Sequence, residues 1–273
     1  MDTIKTNLGS FHVNKSGDYY ANNDIFEKFV DETWEADTAL FIRNYCGRGA
    51  VFLDIGASNA IFSLYASLIA NFVYSFEPLT SIYNIAKKNI SLNPELSQKI
   101  ILQPFAVSNE TSYIQATQKI DSTILSSITH EDSSQFSYPL YVKSLVTIIE
   151  EAHLLEGENL VIKMDIEGAE YKILQDSRVI ECLVNHKAVL LVAFHPGFAH
   201  PIKNQKSKIR IAMISRRFFF WARNILELLK IIRLLPETLK ILRTNQTPII
   251  NRRKIILLIL GGYYEFIFDF SAR

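Results

Sequence analysis

The stretch that decides the fold is Val51-Phe52-Leu53-Asp54-Ile55-Gly56-Ala57-Ser58-Asn59-Ala60, an apolar run that ends in an acid and small residues. The apolar half is typical of a buried parallel strand, and apolar residues at helical spacing over 61–69 predict a helix after it. Residues 54–60 therefore form a strand-to-helix turn, where open α/β sheets bind ligands and a helix amino terminus favours negative charge. Gly56 allows a ligand close to the backbone, and Asp54 offers a carboxylate to a cation or to hydroxyls.

The acid in this turn separates two nucleotide-binding interpretations. A dinucleotide-binding turn carries G-x-G-x-x-G against a pyrophosphate, whereas this turn has one glycine and an aspartate that repels phosphate. A ligand with an ammonium group, such as S-adenosylmethionine, fits it better. The next predicted strand, Phe72–Phe76, ends in Glu77, which is placed to bind ribose hydroxyls in either nucleotide class. Each acid alone equally fits a solvated strand end or a helix cap, and together they favour a nucleoside site.

The composition fits one large globular domain, or a domain with a subdomain, since 48% of the 273 residues are hydrophobic and 21% are charged. Cys46 and Cys182 are too few for a disulfide framework and too far apart for a metal-binding motif. The amino terminus lacks the basic start and apolar run of a signal peptide. We therefore expect a cytoplasmic protein.

The net charge of +1 conceals an uneven distribution. Residues 203–254 contain 14 Lys and Arg against two acids, Glu227 and Glu237, so the rest of the chain is strongly acidic. Such asymmetry is typical of contact with an anionic partner, for which a membrane surface, an acidic glycan and nucleic acid are the options. We expect a membrane or a glycan and no nucleic acid.

The basic segment predicts a long amphipathic helix over 211–235 that ends at Pro236, with a second short helical piece to about Arg243. Six charges within the long helix argue against a membrane-crossing segment. One alternative places 208–243 on an anionic membrane with Phe218–Trp221 at the interface. The other is a helical cap whose apolar side packs on the domain and whose basic residues are solvated.

A second informative stretch is Leu160-Val161-Ile162-Lys163-Met164-Asp165-Ile166-Glu167-Gly168-Ala169-Glu170. It predicts a buried strand that ends in polar groups, with a helix beginning near Ala169. Lys163, Asp165 and Glu167 alternate with apolar residues, so in extended form their side chains point to the same side. Burial of such a cluster perturbs pKa values and suits acid/base chemistry, although a salt-bridged anchor for the next helix explains it equally well.

His195 follows a further predicted buried strand over 188–194. It lies at the same edge of the sheet as Asp54, Glu77 and Asp165 if the strands are parallel, and its ordinary pKa near neutrality makes it the natural general base. A lone histidine in a Pro-Gly loop is also common as a turn residue. His200, in the same loop, is a weaker alternative.

Predicted strands and helices also alternate along the rest of the chain, and this order is typical of a parallel sheet. The remaining expected elements are a loosely structured lead-in over 1–23, a helix over 25–45, a helix from Thr80 or Ser81 to about Asn93, a strand over 100–102, short strands or loops over 109–137, a helix over 144–155, a helix over 248–260 and a strand over 263–270, with a hairpin over 255–270 as an alternative to the last two.

Four stretches together resemble the FkbM-type methyltransferases: Asp54-Ile55-Gly56-Ala57, Phe76-Glu77-Pro78, Phe105-Ala106-Val107-Ser108 and Ile162-Lys163-Met164-Asp165-Ile166-Glu167-Gly168-Ala169-Glu170. The last is close to the family's K-x-D-x-E-G-A-E run and is the most specific, whereas the first is generic to class I methyltransferases. The order and spacing agree from about Trp34 to Phe194, and 261–264 resembles the family's closing helix-to-strand turn. Residues 198–247 have no clear counterpart in the family core.

The resemblance implies a Rossmann-like class I methyltransferase fold, a mostly parallel seven-stranded α/β sheet flanked by helices, with a basic helical insertion near the carboxyl terminus. It implies S-adenosylmethionine as methyl donor and O-methylation of a hydroxyl on a sugar, glycan or glycolipid. The corresponding domains are an amino-terminal lead-in and helix over 1–50, the S-adenosylmethionine-binding core over 51–197, the insertion over 198–247 and a closing helix and strand over 248–273.

By the same match, Asp54, Gly56 and Ala57 hold the methionine part of the cofactor, Glu77 holds the ribose and Ala106 lies near the adenine. Asp165 lies near the methyl-transfer centre. The predicted site contains the catalytic candidates Lys163, Asp165, Glu167 and His195 and the cofactor-binding residues Asp54, Gly56, Ala57, Glu77, Ala106 and Asp165, with no metal.

Two departures from the family pattern carry different weight. Family members commonly have a further glycine where this chain has Ala60, and an acid in a T-L-D run where this chain has Leu145-Val146-Thr147-Ile148. The first leaves open a catalytically inactive methyltransferase fold that binds a membrane or another anionic partner. A nicotinamide-dependent oxidoreductase is a further alternative, disfavoured by the missing glycines.

Overall fold

The computed structural model describes residues 2–14, 25–31, 34–47, 49–119, 135–152, 159–195 and 210–271. Its elements, in chain order, are β1 (Asp2–Thr6), β2 (Gly9–Val13), α1 (Ile25–Val30), α2 (Ala36–Tyr45), β3 (Ala50–Ile55), α3 (Ile61–Ser67), β4 (Phe72–Phe76), α4 (Thr80–Ser91), α5 (Pro94–Ser97), β5 (Ile100–Gln103), β6 (Ala106–Ser108), β7 (Ser112–Lys119), β8 (Gln135–Ser144), α6 (Leu145–Glu151), β9 (Asn159–Met164), α7 (Glu170–Leu174), α8 (Ser177–Asn185), β10 (Val189–Ala193), α9 (Arg210–Leu234), β11 (Lys240–Arg243), α10 (Lys254–Leu260) and β12 (Glu265–Asp269).

A seven-stranded sheet in the order β11-β12-β10-β9-β3-β4-β5 forms the centre of the protein. Strands β5, β4, β3, β9 and β10 are mutually parallel, and β12 is antiparallel to both of its neighbours, β10 and β11. The predicted mostly parallel, seven-stranded α/β sheet flanked by helices is confirmed. The chain leaves β3 towards β4 and β5 on one side, whereas β9 and β10 lie on the other. The carboxyl ends of β3 and β9 therefore flank a topological switch point, the usual ligand crevice of an open α/β sheet.

Both faces of the sheet are buried, which explains the continuous apolar runs of the central strands. On β3, Val51, Leu53 and Ile55 contribute to one hydrophobic cluster, and Phe52 contributes to the cluster on the opposite face. Asp54 takes the remaining position on the Phe52 side. A carboxylate is thus held between the sheet and a helix, where burial disfavours its charge unless partners compensate.

The amino-terminal prediction was wrong where the structure describes it. Residues 2–13 form an antiparallel hairpin, β1 with β2, instead of a loose lead-in. Two buried asparagines, Asn89 in α4 and Asn93 just before α5, fix this hairpin to the helices. Asn93 exchanges two hydrogen bonds with the His12 backbone, and Asn89 accepts from the Asn14 amide at 2.9 Å. Side-chain amides 75 to 81 residues away in sequence leave no local pattern in the hairpin itself.

Several predicted boundaries also change. The helix expected over 25–45 is two helices, α1 and α2, and the last helix begins at Lys254 because Pro248 forms a β-bridge with Leu242. The short helical piece expected up to Arg243 is wrong, since 240–243 form the edge strand β11. The alternative hairpin over 255–270 is also wrong, because α10 precedes β12. The strands around 100, 189 and 265 and the helix from Thr80 are confirmed.

A second, three-stranded sheet of β6, β8 and β7 follows β5. Strands β7 and β8 pair in antiparallel register, with Tyr113 opposite Tyr141. This hairpin occupies part of the stretch predicted as short strands or loops over 109–137, of which 120–134 lie outside the described residues. It brings β8 beside Ala106, which pairs with Val142.

The long amphipathic helix predicted over 211–235 is confirmed as α9. Its buried residues Leu228 and Ile231, with Leu235 just beyond it, enter the same hydrophobic cluster as the α10 residues Ile255 and Ile259. Within the described part of the chain, no helix is long and apolar enough to cross a membrane. The assignment of 198–247 as an insertion, and the other domain limits, stay predictions.

Candidate active site

The turn after β3 passes between the carboxyl ends of two neighbouring strands. The amides of Gly56 and Ala57 both donate to the Phe76 carbonyl at the end of β4, at 3.1 and 3.0 Å. Gly56 has φ +84°, and a Cβ on it would lie 2.0 Å from the Asp165 carbonyl oxygen after β9. Glycine is therefore required by the chain's own packing as well as by its conformation. Its predicted role of admitting a ligand stays a prediction.

The same turn places two residues other than glycine in the left-handed region, Ser58 at φ 48° and Ala60 at φ 63°. Ala60 immediately precedes α3 and is completely buried. This conformation explains why members of the resembled family commonly have glycine at the position of Ala60, since only glycine adopts it without strain. Alanine has the smallest side chain that incurs this cost.

Asp54 is fully buried, and its partners lie inside the protein. Ser63 Oγ donates to Asp54 Oδ2 at 2.6 Å, and Ser75 Oγ donates to Ser63 Oγ at 2.8 Å. Lys163 Nζ lies 3.6 Å from Asp54 Oδ1. Burial raises the pKa of Asp54, although Lys163 and the Ser63 hydrogen bond oppose this shift. Among the described residues, the cation beside Asp54 is thus Lys163 of the neighbouring strand β9. The predicted role of Asp54 in holding the methionine part of the cofactor stays a prediction.

Lys163 links the turn after β3 to the turn after β9. Besides Asp54, its ammonium lies 3.7 Å from Asp165 Oδ2 and donates to the Gly56 carbonyl at 3.3 Å. Burial lowers the pKa of Lys163, but the carboxylates of Asp165, Asp54 and Glu35 outweigh burial and raise it. Lys163 is therefore a fixed cation that suits charge compensation, and its predicted catalytic role stays a prediction.

Glu77 is buried at the end of β4 and accepts the amides of Ser58 at 3.0 Å and Leu79 at 2.9 Å, one on each carboxylate oxygen. Burial raises its pKa to about 7. Each oxygen retains acceptor capacity for a hydroxyl, since a carboxylate has about four lone-pair sites. Tyr138 of β8 lies within range of the Glu77 charge. Burial raises the pKa of the Tyr138 hydroxyl, and the Glu77 charge raises it further.

His195 lies between two acids directly after β10. Its Nδ1 is 3.0 Å from Glu170 Oε1, and its Nε2 is 3.5 Å from Asp165 Oδ1. Glu170 is completely buried and also accepts the amides of Ile166 at 3.0 Å and Gly168 at 2.7 Å. Glu170 thus fixes both the turn after β9 and the histidine ring, a function that the sequence analysis did not assign to it.

The acids around His195 decide its protonation. Burial lowers the pKa of His195, but the hydrogen bond to Glu170 and the charges of Glu170, Asp165 and Glu167 outweigh it and raise the pKa to about 8. The neutral ring, with Nδ1–H donated to Glu170, leaves Nε2 on the side of Asp165 as the proton-accepting atom. His200, the weaker alternative, lies outside the described residues.

Glu167 reaches this cluster from a turn and not from the strand. Because β9 ends at Met164, the predicted alternation of Lys163, Asp165 and Glu167 stops before Glu167, which has φ 55°. Burial raises the pKa of Glu167 to about 7. The His195 charge opposes this rise, and the predicted catalytic role of Glu167 stays a prediction.

Two further acids were missed by the sequence analysis. Burial raises the pKa of Glu35, immediately before α2, to about 7; the Lys163 charge opposes this rise and the Asp165 charge adds to it. Glu265, the first residue of β12, lines a small cavity together with Thr38, Lys163 and Asp165. Both lie far in sequence from the motifs that revealed the other site residues. Helix α2 and the antiparallel strand β12 bring them to the catalytic edge.

Asp165, Glu170 and His195 together offer three ligand atoms close enough to hold a metal ion. The ring of His195 separates the two acids, one at each ring nitrogen, and Glu170 is already engaged by two backbone amides. This arrangement is that of a hydrogen-bonded acid-histidine pair facing a second acid. The prediction of a site with no metal stays a prediction.

The switch-point crevice, the turn after β3 and the acids after β4 and β9 define a class I methyltransferase. Residues 18–201 match the methyltransferase FkbM domain, which is about two thirds of the chain. The protein belongs to the FkbM methyltransferase family, and the sequence-based identification is confirmed. No curated protein matches the chain.

Solved structures similar to this chain include the FkbM methyltransferase from Methylobacillus flagellatus, at 13% identity and a TM-score of 0.45. That comparison covers 93% of this chain, which spans 55% of the length of the Methylobacillus protein. Another is the O-methyltransferase from Bacillus cereus in complex with SAH (S-adenosylhomocysteine), at 10% identity and a TM-score of 0.38, covering 86% of this chain and 80% of that one.

Proposed function

We propose that this protein is an S-adenosylmethionine-dependent O-methyltransferase that methylates a hydroxyl group of a sugar, glycan or glycolipid. The observation that carries the proposal is the placement of His195. It is held by Glu170 and faces Asp165, at the same sheet edge as the turn of Asp54 and Gly56. A positioned base beside a cofactor turn is what deprotonation of a hydroxyl during methyl transfer requires.

The residues at this edge fit the methyl donor. Asp54 is buried beneath the turn after β3, with Oδ1 3.6 Å from the Lys163 ammonium, so its negative charge would favour the ammonium of the methionine part at that turn without direct contact. Glu77 retains lone pairs for the ribose hydroxyls after accepting two backbone amides. Ala106, predicted to lie near the adenine, and Tyr138, which lies within range of the Glu77 charge, both come from the three-stranded sheet. When bound, S-adenosylmethionine supplies an electrophilic methyl group.

Side chains of this protein remove the proton of the acceptor hydroxyl. His195 Nε2 accepts the proton of the acceptor hydroxyl, whose oxygen would take the methyl group as the bond from that methyl to the sulfonium sulfur breaks. Glu170 keeps Nδ1–H as a donor and so keeps the neutral tautomer with Nε2 free for the proton. Asp165, 3.5 Å from Nε2, stabilises the imidazolium that results. Lys163 compensates the charge of Asp165 and Asp54 and holds the two turns at a fixed distance.

The acids near the catalytic edge favour a neutral, hydroxyl-rich acceptor over an anionic one. Asp165 lies 3.7 Å from the Lys163 ammonium, Glu265 lines the same small cavity and Glu35 lies within range of the Lys163 charge, so among the described residues at this edge acids outnumber the cations Lys163 and His195. Carboxylates accept hydrogen bonds from sugar hydroxyls but repel phosphate and sulfate groups. The acceptor's reacting part is therefore an uncharged sugar or a similar polyol, whatever charge it carries elsewhere.

Calorimetric titration with S-adenosylhomocysteine tests the cofactor part of the proposal. We expect micromolar binding that Glu77→Gln weakens at least tenfold, because the amide presents one acceptor oxygen instead of two. The matched control is Glu110→Gln, since Glu110 is an exposed acid paired with Lys172. Absence of binding by folded wild-type protein would instead support the inactive-fold alternative.

The pH dependence of kcat/KM tests the catalytic part. We expect kcat/KM to rise with pH through about 8, because His195 must be neutral to accept a proton. Glu170→Gln should move that midpoint downwards, since the variant loses the charge that raises the pKa of His195. His195→Ala should lower kcat by about 10² to 10⁴ with S-adenosylhomocysteine affinity retained. An unchanged midpoint in Glu170→Gln would exclude the pair as the base.

A further inference from the structure

Exposed apolar side chains are concentrated near the carboxyl-terminal end of the chain. Among the described residues, eleven large apolar side chains are exposed, and six of them fall between positions 226 and 264. Ile250 is 95% exposed, Leu257 68% and Leu226 59%. The others in this group are Leu234, Leu260 and Tyr264. Single exposed apolar residues need no explanation, but a contiguous group of them marks an interaction surface.

The described part of α9 contributes one side of this group. Leu228 and Ile231 face the hydrophobic core, whereas Leu226, Lys230 and Leu234 are exposed and follow one another at helical spacing on the opposite side. Arg223 and Arg233 are exposed on that same side. Leucines and basic residues therefore share one outward stripe.

Helix α10 contributes the other side. Ile255 and Ile259 are buried, whereas Lys254, Leu257 and Leu260 are exposed. The preceding turn carries the exposed residues Ile250 and Arg253. Exposed apolar and basic side chains thus occur together on this helix and its turn, as they do on α9.

Helices α9 and α10 lie against each other. Both pack on the same hydrophobic cluster and contact each other. Arg252 donates to the carbonyls of Leu235 and Pro236, which fixes the turn before α10 to the end of α9. We call the set of their exposed apolar and basic residues the basic apolar face, which consists of Arg223, Leu226, Lys230, Arg233, Leu234, Ile250, Arg253, Lys254, Leu257 and Leu260. This face carries five exposed basic residues, of which Lys230 is paired with Glu227.

We propose that the basic apolar face docks on a membrane surface that carries anionic phospholipids. Leu226, Ile250 and Leu257 would enter the interfacial region, and the surrounding Lys and Arg would contact lipid phosphates and carboxylates. This combination of apolar and cationic side chains on one helical face is the signature of an interfacial helix. A partner protein would need an acidic apolar groove of matching shape, whereas a bilayer needs only the composition observed.

The face is connected to the catalytic edge. Tyr264 is exposed four residues after Leu260, and its carbonyl accepts the Phe194 amide at 2.9 Å, one residue before His195. Glu265, the next residue, lines the cavity beside Asp165. Docking would therefore bring the catalytic edge close to the bilayer surface. If the proposed methyl transfer is correct, the acceptor is a lipid-linked sugar, but the docking itself does not depend on that function.

Co-sedimentation of the full chain with phosphatidylcholine vesicles, with and without phosphatidylserine, tests the docking. We expect binding only to the anionic vesicles, with release by added salt. The triple variant Arg233→Glu, Arg253→Glu, Lys254→Glu should partition about 100-fold more weakly, since each basic residue near an anionic surface contributes about fivefold. The matched control is Lys87→Glu, Lys88→Glu, which reverses two exposed charges on α4.

A second pair of variants tests the apolar contribution. Ile250→Asp, Leu257→Asp should weaken vesicle binding, whereas Tyr113→Ser, at an exposed aromatic of β7, should not. All these residues are exposed, and circular dichroism confirms that each variant is folded. Absence of binding to anionic vesicles, or equal binding by the triple variant and its α4 control, overturns the proposal. Binding to heparin without binding to vesicles assigns the face to another polyanion and overturns it as well. S-adenosylhomocysteine titration, measured separately, reports on the catalytic proposal alone.

Discussion

Replacing Gly56 with alanine tests whether the close approach of two strand ends holds the candidate site together. The new Cβ would lie 2.0 Å from the Asp165 carbonyl oxygen and 3.0 Å from its carbon, both backbone atoms of the turn after β9. The left-handed conformation at φ +84° costs an alanine roughly 1–2 kcal/mol. Forcing apart packed groups costs roughly a further 1–3 kcal/mol. We therefore expect Gly56→Ala to lower the free energy of unfolding by about 2–5 kcal/mol.

Urea unfolding followed by circular dichroism measures this loss, and two other glycines separate its parts. Gly262 has φ +89° with nothing within 4 Å of a built Cβ, so Gly262→Ala reports the conformational cost alone. Gly47 also has nothing within 4 Å and lacks a positive φ, so Gly47→Ala should be nearly neutral. If Gly56→Ala costs no more than Gly262→Ala, the contact with Asp165 does not constrain the turn and the reasoning fails.

Two further predictions concern the same turn and the buried acids. Ala60→Gly should raise the free energy of unfolding by up to about 1 kcal/mol. Relief of the left-handed strain gains roughly 1–2 kcal/mol, which exceeds the roughly 0.8 kcal/mol lost with a buried methyl group. A lower free energy of unfolding, measured by urea unfolding, would contradict this prediction. The apoprotein should become less stable as pH rises from about 4.5 to about 7. Burial raises the pKa of Glu35, Glu77 and Glu167 to about 7, so the folded state binds more protons than the unfolded state in that window. Each group contributes at most about 1.4 kcal/mol per pH unit to the loss. Thermal unfolding across this range measures the trend, and a transition temperature that rises with pH would show that these acids are charged in the folded protein.

The sequence predicted the elements whose patterns are local. The apolar run before Asp54 and the helical spacing after Ala60 gave β3 and α3, because a buried strand and the helix that covers it must both be apolar where they meet. The K-x-D-x-E-G-A-E run gave β9 and the cluster around Asp165. The predictions that failed are those for 2–13 and 240–243, whose strands exist through pairing with distant segments and carry weak patterns of their own.

The residues of the candidate site were likewise predictable from the sequence only in part. From the sequence alone, Asp54, Glu77, Lys163, Asp165 and His195 could be placed at one edge, because parallel strands end together. Their partners were decided only by the tertiary structure. Lys163 faces Asp54 across neighbouring strands, Glu170 turns back to hold His195, and Glu35 and Glu265 arrive from distant elements.

Sequence by itself therefore determined the class of fold, the family and the edge at which chemistry takes place, because these depend on periodicity and on short motifs. The tertiary structure decided which acid positions the histidine, why glycine is required at position 56 and which apolar side chains remain exposed on α9 and α10. Those properties depend on distances between segments far apart in the chain. Local pattern does not encode such distances, since they are set by how the helices and strands pack.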